Sequence, residues 1–362
     1  MAILVVFSHA SQIFLWRLAG STGAVAIFAK QTGRGAVIVF FLLSGYLITQ
    51  SVRRNIARRG RFDAMEYVTA RLARIYPPLI GALLLTGLVW IVIHGAGLAG
   101  AVSYGLPGDL YKVRDSFSIA PDDLRSALFM QAGFVAADGS LWTLYLEAHL
   151  YTAILVFAAW RMPNWGARIL CLVAGVAGLY AMRFAIPLAC IWFIGAAFAL
   201  WPMGRKAGVA IAAAGALASL AIAVLRPDLF GLLMDTRLGE WAQIAPSLAI
   251  AALMFAAPPR WHFPRAWART GDFSYSLYVI HWPLMMLALS LAQPWMQHSV
   301  ARALAVAAGS ILIVLPMAFL FALVLERPKF FARLLRGALS QPAAQEGAAG
   351  PAAMPLQTDP VT

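Results

Sequence analysis

Three side chains of this sequence are hard to explain as packing: Glu147, His9 and His281. Each falls inside an apolar run. Glu147 lies about a turn and a half into the run 141–160, where an ionisable group costs about 2.5–3.5 kcal/mol on insertion scales. A histidine, with an unperturbed pKa of about 6.5, can take a proton from a hydroxyl near neutral pH. A carboxylate can orient an acceptor or complete a proton path. Arg71 and Arg74 add a second chemistry. Their i, i+3 spacing puts both on one face of a helix, and the planar guanidinium fork matches phosphate. Each residue also has a structural account. A lone histidine can hydrogen-bond a neighbouring helix, Glu147 can pair with an arginine, and Arg71 and Arg74 can belong to the positive cluster Arg53–Arg61. Ser44-Gly45 suits close helix packing. His149 is two residues after Glu147, so it points to nearly the opposite side of the helix and reads as structural.

The elements that hold these residues must be membrane helices. The chain has 362 residues, 62% hydrophobic and 12% charged, against about 25% charged in a soluble domain. Apolar runs occur at 1–16, 35–52, 78–98, 141–160, 166–182, 184–202, 206–225, 241–257, 273–292 and 302–325. That gives an all-α polytopic bundle of about ten spans, with the first short of the ~20 residues a full span needs. The apolar start lacks the basic region of a cleavable signal peptide. The net charge of +13 is read as topogenic and as attraction to anionic lipid or an anionic donor, rather than as nucleic-acid binding. The Arg-rich loop 53–74 placed in the cytoplasm gathers most Lys and Arg on that side, with both termini there. Residues 99–140 form the longest outside loop. Residues 1–337 make one integral-membrane domain, and 338–362, rich in Ala, Pro, Gly and Gln, read as a disordered cytoplasmic tail. Cys171 and Cys190 have no pairing signature and no metal-ligand spacing. No phosphate-loop, H-E-x-x-H, G-x-S-x-G or C-x-x-C motif occurs, so neither a metal nor a nucleophilic serine has motif support.

At 1.5 Å per residue, His9 and His281 each lie about 12 Å from the cytoplasmic start of their span, and Glu147 about 9 Å from the outer start of its own. The two imidazoles therefore share a level, with the carboxylate expected roughly 9 Å on the outer side of them. Depth alone does not say which helices are neighbours.

Taken together the segments resemble one family. They are Val5-Val6-Phe7-Ser8-His9-Ala10, Phe41-Leu42-Leu43-Ser44-Gly45-Tyr46, Arg71-Leu72-Ala73-Arg74-Ile75-Tyr76-Pro77, Ser140-Leu141-Trp142-Thr143-Leu144-Tyr145-Leu146-Glu147, Ser274 to Pro283, and Glu326-Arg327-Pro328. In this order they resemble the membrane-bound acyltransferase 3 family, which O-acylates surface glycans and related acceptors. The resemblance implies a bacterial inner-membrane enzyme with no bound cofactor, cytoplasmic acyl-CoA as donor, and a glycan or lipid-linked sugar as acceptor. It implies that His9 and Glu147 are catalytic and that Arg71 and Arg74 bind the donor, with Ser44, Trp142 and His281 in support. Members carry an arginine about three helical turns before the histidine, a position that here would precede Met1. Either the true start lies upstream or the chain is a degenerate, inactive member. The remaining alternative is a proton-coupled or solute transporter.

Overall fold

The computed structural model describes residues 1–19, 23–98, 121–129, 138–230, 236–256 and 270–340. Among these residues there are helices and no strand. The helices are α1 (Ala2–Leu15), α2 (Ala24–Arg59), α3 (Ala64–Gly95), α4 (Trp142–Arg161), α5 (Trp165–Phe184) and α6 (Ile186–Leu200). They continue with α7 (Arg205–Leu225), α8 (Arg237–Ala256), α9 (Gly271–Met296), α10 (Val300–Leu325) and α11 (Pro328–Ser340). Eight are long and apolar enough to cross a membrane, and α1 and α6 are shorter apolar helices. Each apolar run of the sequence coincides with one of the ten helices α1–α10. Leu217, Leu220 and Val224 on α7 are 67%, 61% and 70% exposed, whereas Ser44, Glu147, Ser247 and His281 are buried. Apolar outside and polar inside is the arrangement that lipid requires, and the protein is an integral membrane protein. The segment 99–140, expected as an outside loop, lies largely beyond the described residues, apart from residues 121–129, with a short helix Pro121–Ala127, and residues 138–140. The tail expected over 338–362 falls almost wholly outside the described residues: α11 runs to Ser340, and residues 341–362 are not described. Cys171 and Cys190 are unpaired.

Two helices extend well past their apolar runs. Lys30, Gln31, Thr32 and Arg34 interrupt the hydrophobic pattern before 35–52, yet α2 already starts at Ala24. Its polar first turns find partners on other elements. Gln31 donates to the Phe230 carbonyl, Lys30 Nζ sits 5.0 Å from the Trp16 ring, and Arg34 is 3.5 Å from Glu240. On α3, Pro77 and Pro78 mark a start in the sequence but sit inside the helix. Pro lacks the N–H that would bond four residues back, and membrane helices tolerate this where neighbours satisfy the backbone. The carbonyls that lose a donor are those of Ala73 and Arg74, and beside them the Ile75 carbonyl accepts from Tyr275 on α9 at 3.1 Å, a contact that ties α3 to α9 at this point.

The tightest helix crossing is α2 on α6. A Cβ on Gly45 would overlap the Trp192 carbonyl, and one on Gly195 would overlap the Leu42 carbonyl. Backbone meets backbone there, so neither side can yield cheaply. Gly45→Val or Gly195→Val is expected to cost at least the ~1–3 kcal/mol of an overpacked core. The expected readout is a lower thermal midpoint and less monodisperse protein in detergent.

Candidate active site

A cavity of about 420 Å³ opens between α1, α2, α3, α4 and α9. Its walls include Val5, Phe40, Ser44, Arg71, Arg74, Thr143, Glu147, Tyr151, Tyr275 and Tyr278. That size falls within the range of small-molecule sites.

Glu147 is buried on α4. Ser44 Oγ donates to its Oε1 at 3.1 Å, Tyr151 donates to the same oxygen, and Trp192 Nε1 donates to Ser44 Oγ at 3.2 Å. Neither bond to the carboxylate uses Oε2. Ser44 thus links Glu147 on α4 to Trp192 on α6, while the next residue, Gly45, makes the close crossing. The polar contact of Ser44 and the close packing expected of Ser44-Gly45 therefore fall at adjacent residues of one helix crossing. Trp142 starts α4 and packs half-buried against the apolar core.

Arg71 and Arg74 lie on α3 and both line the cavity. Arg71 Nη2 donates to Ser51 Oγ at 3.1 Å, and its guanidinium lies 5.6 Å from the Tyr67 ring and 5.7 Å from the Tyr151 ring. Tyr67 in turn donates to the Tyr151 carbonyl at 3.0 Å. Arg71 Nε is buried and has no hydrogen-bond acceptor among the described residues. The positive cluster upstream is built differently. Arg58 pairs with Glu66 at 2.9 Å, Arg59 pairs with Asp63, and Asn55 accepts from the Asp63 amide at 2.8 Å. Those arginines tie the α2–α3 hairpin; Arg71 and Arg74 face the cavity.

His9 on α1 and His281 on α9 are in contact. His9 Nδ1 is 2.8 Å from His281 Nε2, and the two rings are near-parallel with centroids 5.1 Å apart. Trp282 meets His9 edge-on at 5.0 Å. Neither imidazole lines the cavity. Val5 and Leu277 do, and each lies one helical turn before its histidine. The pair therefore sits one turn beyond the cavity wall. Tyr278 forms part of that wall and is fixed by donating to the Ser140 carbonyl at 2.8 Å. Directly after His9, α1 becomes π-helical over Ser11–Leu15. Such widened turns are frequent at functional sites, and no sequence signal marks this one.

The order of these groups corrects the depth reckoning. Ser140 Oγ is 3.2 Å from the Tyr278 carbonyl, which puts residues 140 and 278 at one level on antiparallel elements. Counting from there at 1.5 Å per residue, Glu147 lies roughly 15 Å from His281 along the bundle, toward Arg71 and Arg74. It is level with Ser44, between the imidazoles and the arginines, rather than beyond the imidazoles on the side away from the arginines. The cause is visible at the start of α4. Asp138, Ser140 and Leu141 are already buried, so the helix begins inside the protein and carries Glu147 deeper than a count from the membrane boundary allows.

His149 lies elsewhere, on the wall of a second cavity of about 250 Å³. Its Nδ1 donates to the Tyr145 carbonyl at 2.7 Å. Sequence reasoning misses Tyr151, Trp192 and Tyr278. Tyr151 is four residues after Glu147, a spacing that places both on one helix face, so it was within reach. Trp192 is 148 residues from Ser44 and carries no such signal. Among the described residues no group of His, Cys, Asp and Glu could hold a metal.

Comparison with known proteins places this geometry in a family. The acyltransferase 3 model, described as "Acyltransferase domain", matches residues 1–326. The chain is 27% identical over 168 residues to "Protein 2 in picA locus" of Rhizobium radiobacter, covering 46% of this chain and 78% of that protein. It is 29% identical over 197 residues to "O-acetyl transferase" of Shigella phage Sf6, covering 52% and 54%. It is 28% identical over 192 residues to "Nodulation protein 10" of Rhizobium leguminosarum bv. viciae, covering 51% and 49%. These matches thus span about half the length of the latter two relatives. No solved structure matches the chain. The protein is a membrane acyltransferase and belongs to the acyltransferase 3 family.

Proposed function

We propose that the chain moves an acyl group, acetyl in the first instance, from acyl-CoA to a hydroxyl of a cell-surface glycan or lipid-linked sugar at the bacterial inner membrane. The observation that carries this reading is the convergence of Arg71, Arg74, Ser44 and Glu147 on one cavity whose wall lies one helical turn from His9. Arg71 and Arg74 hold donor phosphates at the cytoplasmic end. The buried Nε–H of Arg71 supports this role, since it has no acceptor among the described residues. His9 takes the acceptor's hydroxyl proton as that oxygen attacks the thioester carbonyl. The carbon–sulfur bond breaks and the thiolate of CoA leaves. Glu147, between the two groups, orients the acceptor or completes the proton path, with Ser44 holding Oε1 and Trp142 anchoring the start of α4. The relative named as an O-acetyl transferase supports acetyl as the group.

The reading is tested in proteoliposomes given acyl-labelled acyl-CoA and an envelope glycan extract. Label is expected in the glycan fraction. Label retained entirely in the donor, with correctly inserted protein, would contradict it.

Glu147→Gln separates charge from packing. The amide oxygen can still accept from Ser44 and Tyr151, so the thermal midpoint should stay near that of the parent. Turnover is expected to fall by at least tenfold. Glu147→Leu leaves both donors buried without an acceptor, at about 1–3 kcal/mol each, and should lower stability as well. Equal turnover in the parent and the Gln variant would remove Glu147 from the chemistry.

A further inference from the structure

We infer that His281 is a positioning residue that sets the tautomer of His9 and directs its Nε2 as the base. This rests on the assignment of His9 as base. The argument runs along one line of hydrogen bonds. His281 Nδ1 lies 2.8 Å from the Tyr278 carbonyl and 3.1 Å from the Leu277 carbonyl. A carbonyl oxygen only accepts, so Nδ1 of His281 carries the proton. In a neutral imidazole the other nitrogen is then an acceptor, and His281 Nε2 presents a lone pair. His9 Nδ1 is 2.8 Å from that lone pair, and two nitrogens at this distance need one proton between them. It must come from His9. With its proton on Nδ1, His9 carries its basic lone pair on Nε2.

The backbone of α9 is thus read out, through two rings, as the protonation pattern of a side chain on α1. The near-parallel ring planes, 11° apart, fit an in-plane hydrogen bond between the two nitrogens, and the contact with Trp282 restricts rotation of the His9 ring. His281 is fully buried, and both carbonyls that hold its Nδ1 belong to the preceding turn of its own helix. The arrangement parallels the role of an orienting group behind a general base, with an imidazole in place of a carboxylate.

When His9 takes the acceptor's proton on Nε2, it becomes an imidazolium still donating from Nδ1 to His281. No proton passes to His281, and the proton taken by His9 Nε2 goes on to the departing thiolate. His281 stays neutral throughout.

The test uses the purified full-length protein in proteoliposomes with acetyl-CoA. His281→Gln supplies an amide oxygen that can accept from His9 Nδ1, and His281→Leu removes the acceptor. The Leu variant is expected to lose about 10²-fold in kcat, in the range of general-base effects, with the KM for acetyl-CoA unchanged. The Gln variant should recover at least a tenth of parental kcat. Parental kcat in the Leu variant would overturn the proposal, as would equal loss in both variants with both folded. Because the Leu variant can fail to fold, ¹⁵N-histidine solid-state spectra of the parent give an independent reading. The His9 signal, identified by its loss in His9→Asn, is expected to report the Nδ1–H tautomer, and an Nε2–H tautomer would overturn the proposal. This spectrum is independent of turnover. An active His9→Asn variant would remove His9 as base, while the tautomer measurement would still stand by itself.

Discussion

Replacing His9 by Asn is expected to abolish acyl transfer while leaving the protein inserted and abundant. The magnitude follows from what a general base contributes, about 10²–10⁴-fold in rate. Asn is a sharper probe than Ala. His9 Nδ1 contacts His281 Nε2 at 2.8 Å, and Ala would leave that buried acceptor without a donor, at about 1–3 kcal/mol. An Asn amide can donate in place of Nδ1 but cannot take a proton. The two variants should therefore be equally inactive, with Asn the more stable. Measurement of turnover in vesicles, alongside abundance and thermal midpoint, checks both halves. Residual activity above a tenth of the parent in the Asn variant would assign the base elsewhere.

The second large effect is expected at Arg71. This guanidinium lies between Tyr67 and Tyr151, donates to Ser51 and faces the cavity. Hydrogen bonds to charged groups contribute about 1.5–3 kcal/mol, so Arg71→Ala should raise the KM for acyl-CoA by about 10- to 150-fold. Arg71→Lys should recover little of this. A compact ammonium reproduces neither the fork of donors nor the stacking on two tyrosine rings. By contrast, Arg58→Ala breaks a pair with Glu66 in which Arg58 is 64% exposed. It should change donor KM less than twofold, since exposed pairs contribute little. Equal KM shifts at Arg58 and Arg71 would show that general positive charge, rather than a formed site, attracts the donor.

The helical bundle was legible because lipid imposes one solution on a long apolar run: every backbone group must bond within its own segment. The periodic signal failed only where polar residues sit on helices that project beyond the apolar zone, as at Lys30–Arg34, or where proline is absorbed into a helix, as at Pro77 and Pro78. The site residues were legible one at a time, since ionisable groups at membrane depth stand out against leucine and alanine. Their neighbours were not. A common depth for His9 and His281 was readable, but a contact across 272 positions depends on how α1 packs against α9. The order of Glu147 and the imidazoles came out reversed for a related reason. Counting assumes that each helix starts at the boundary, and the buried residues Asp138, Ser140 and Leu141 break that assumption for α4. Tyr151 shows the opposite case, a partner four residues away on the same helix that local spacing could have supplied.

The central claim is that this chain acylates an envelope acceptor by a route that needs His9. Its most direct test is mass spectrometry of envelope glycans from a deletion strain, complemented with the parent gene or with His9→Asn at matched abundance. The account expects deletion to remove one acyl mass, an acetyl mass in the first instance. The parent gene should restore it and the His9→Asn gene should not. Unchanged glycan masses on deletion, or full restoration by the His9→Asn gene, would contradict the account.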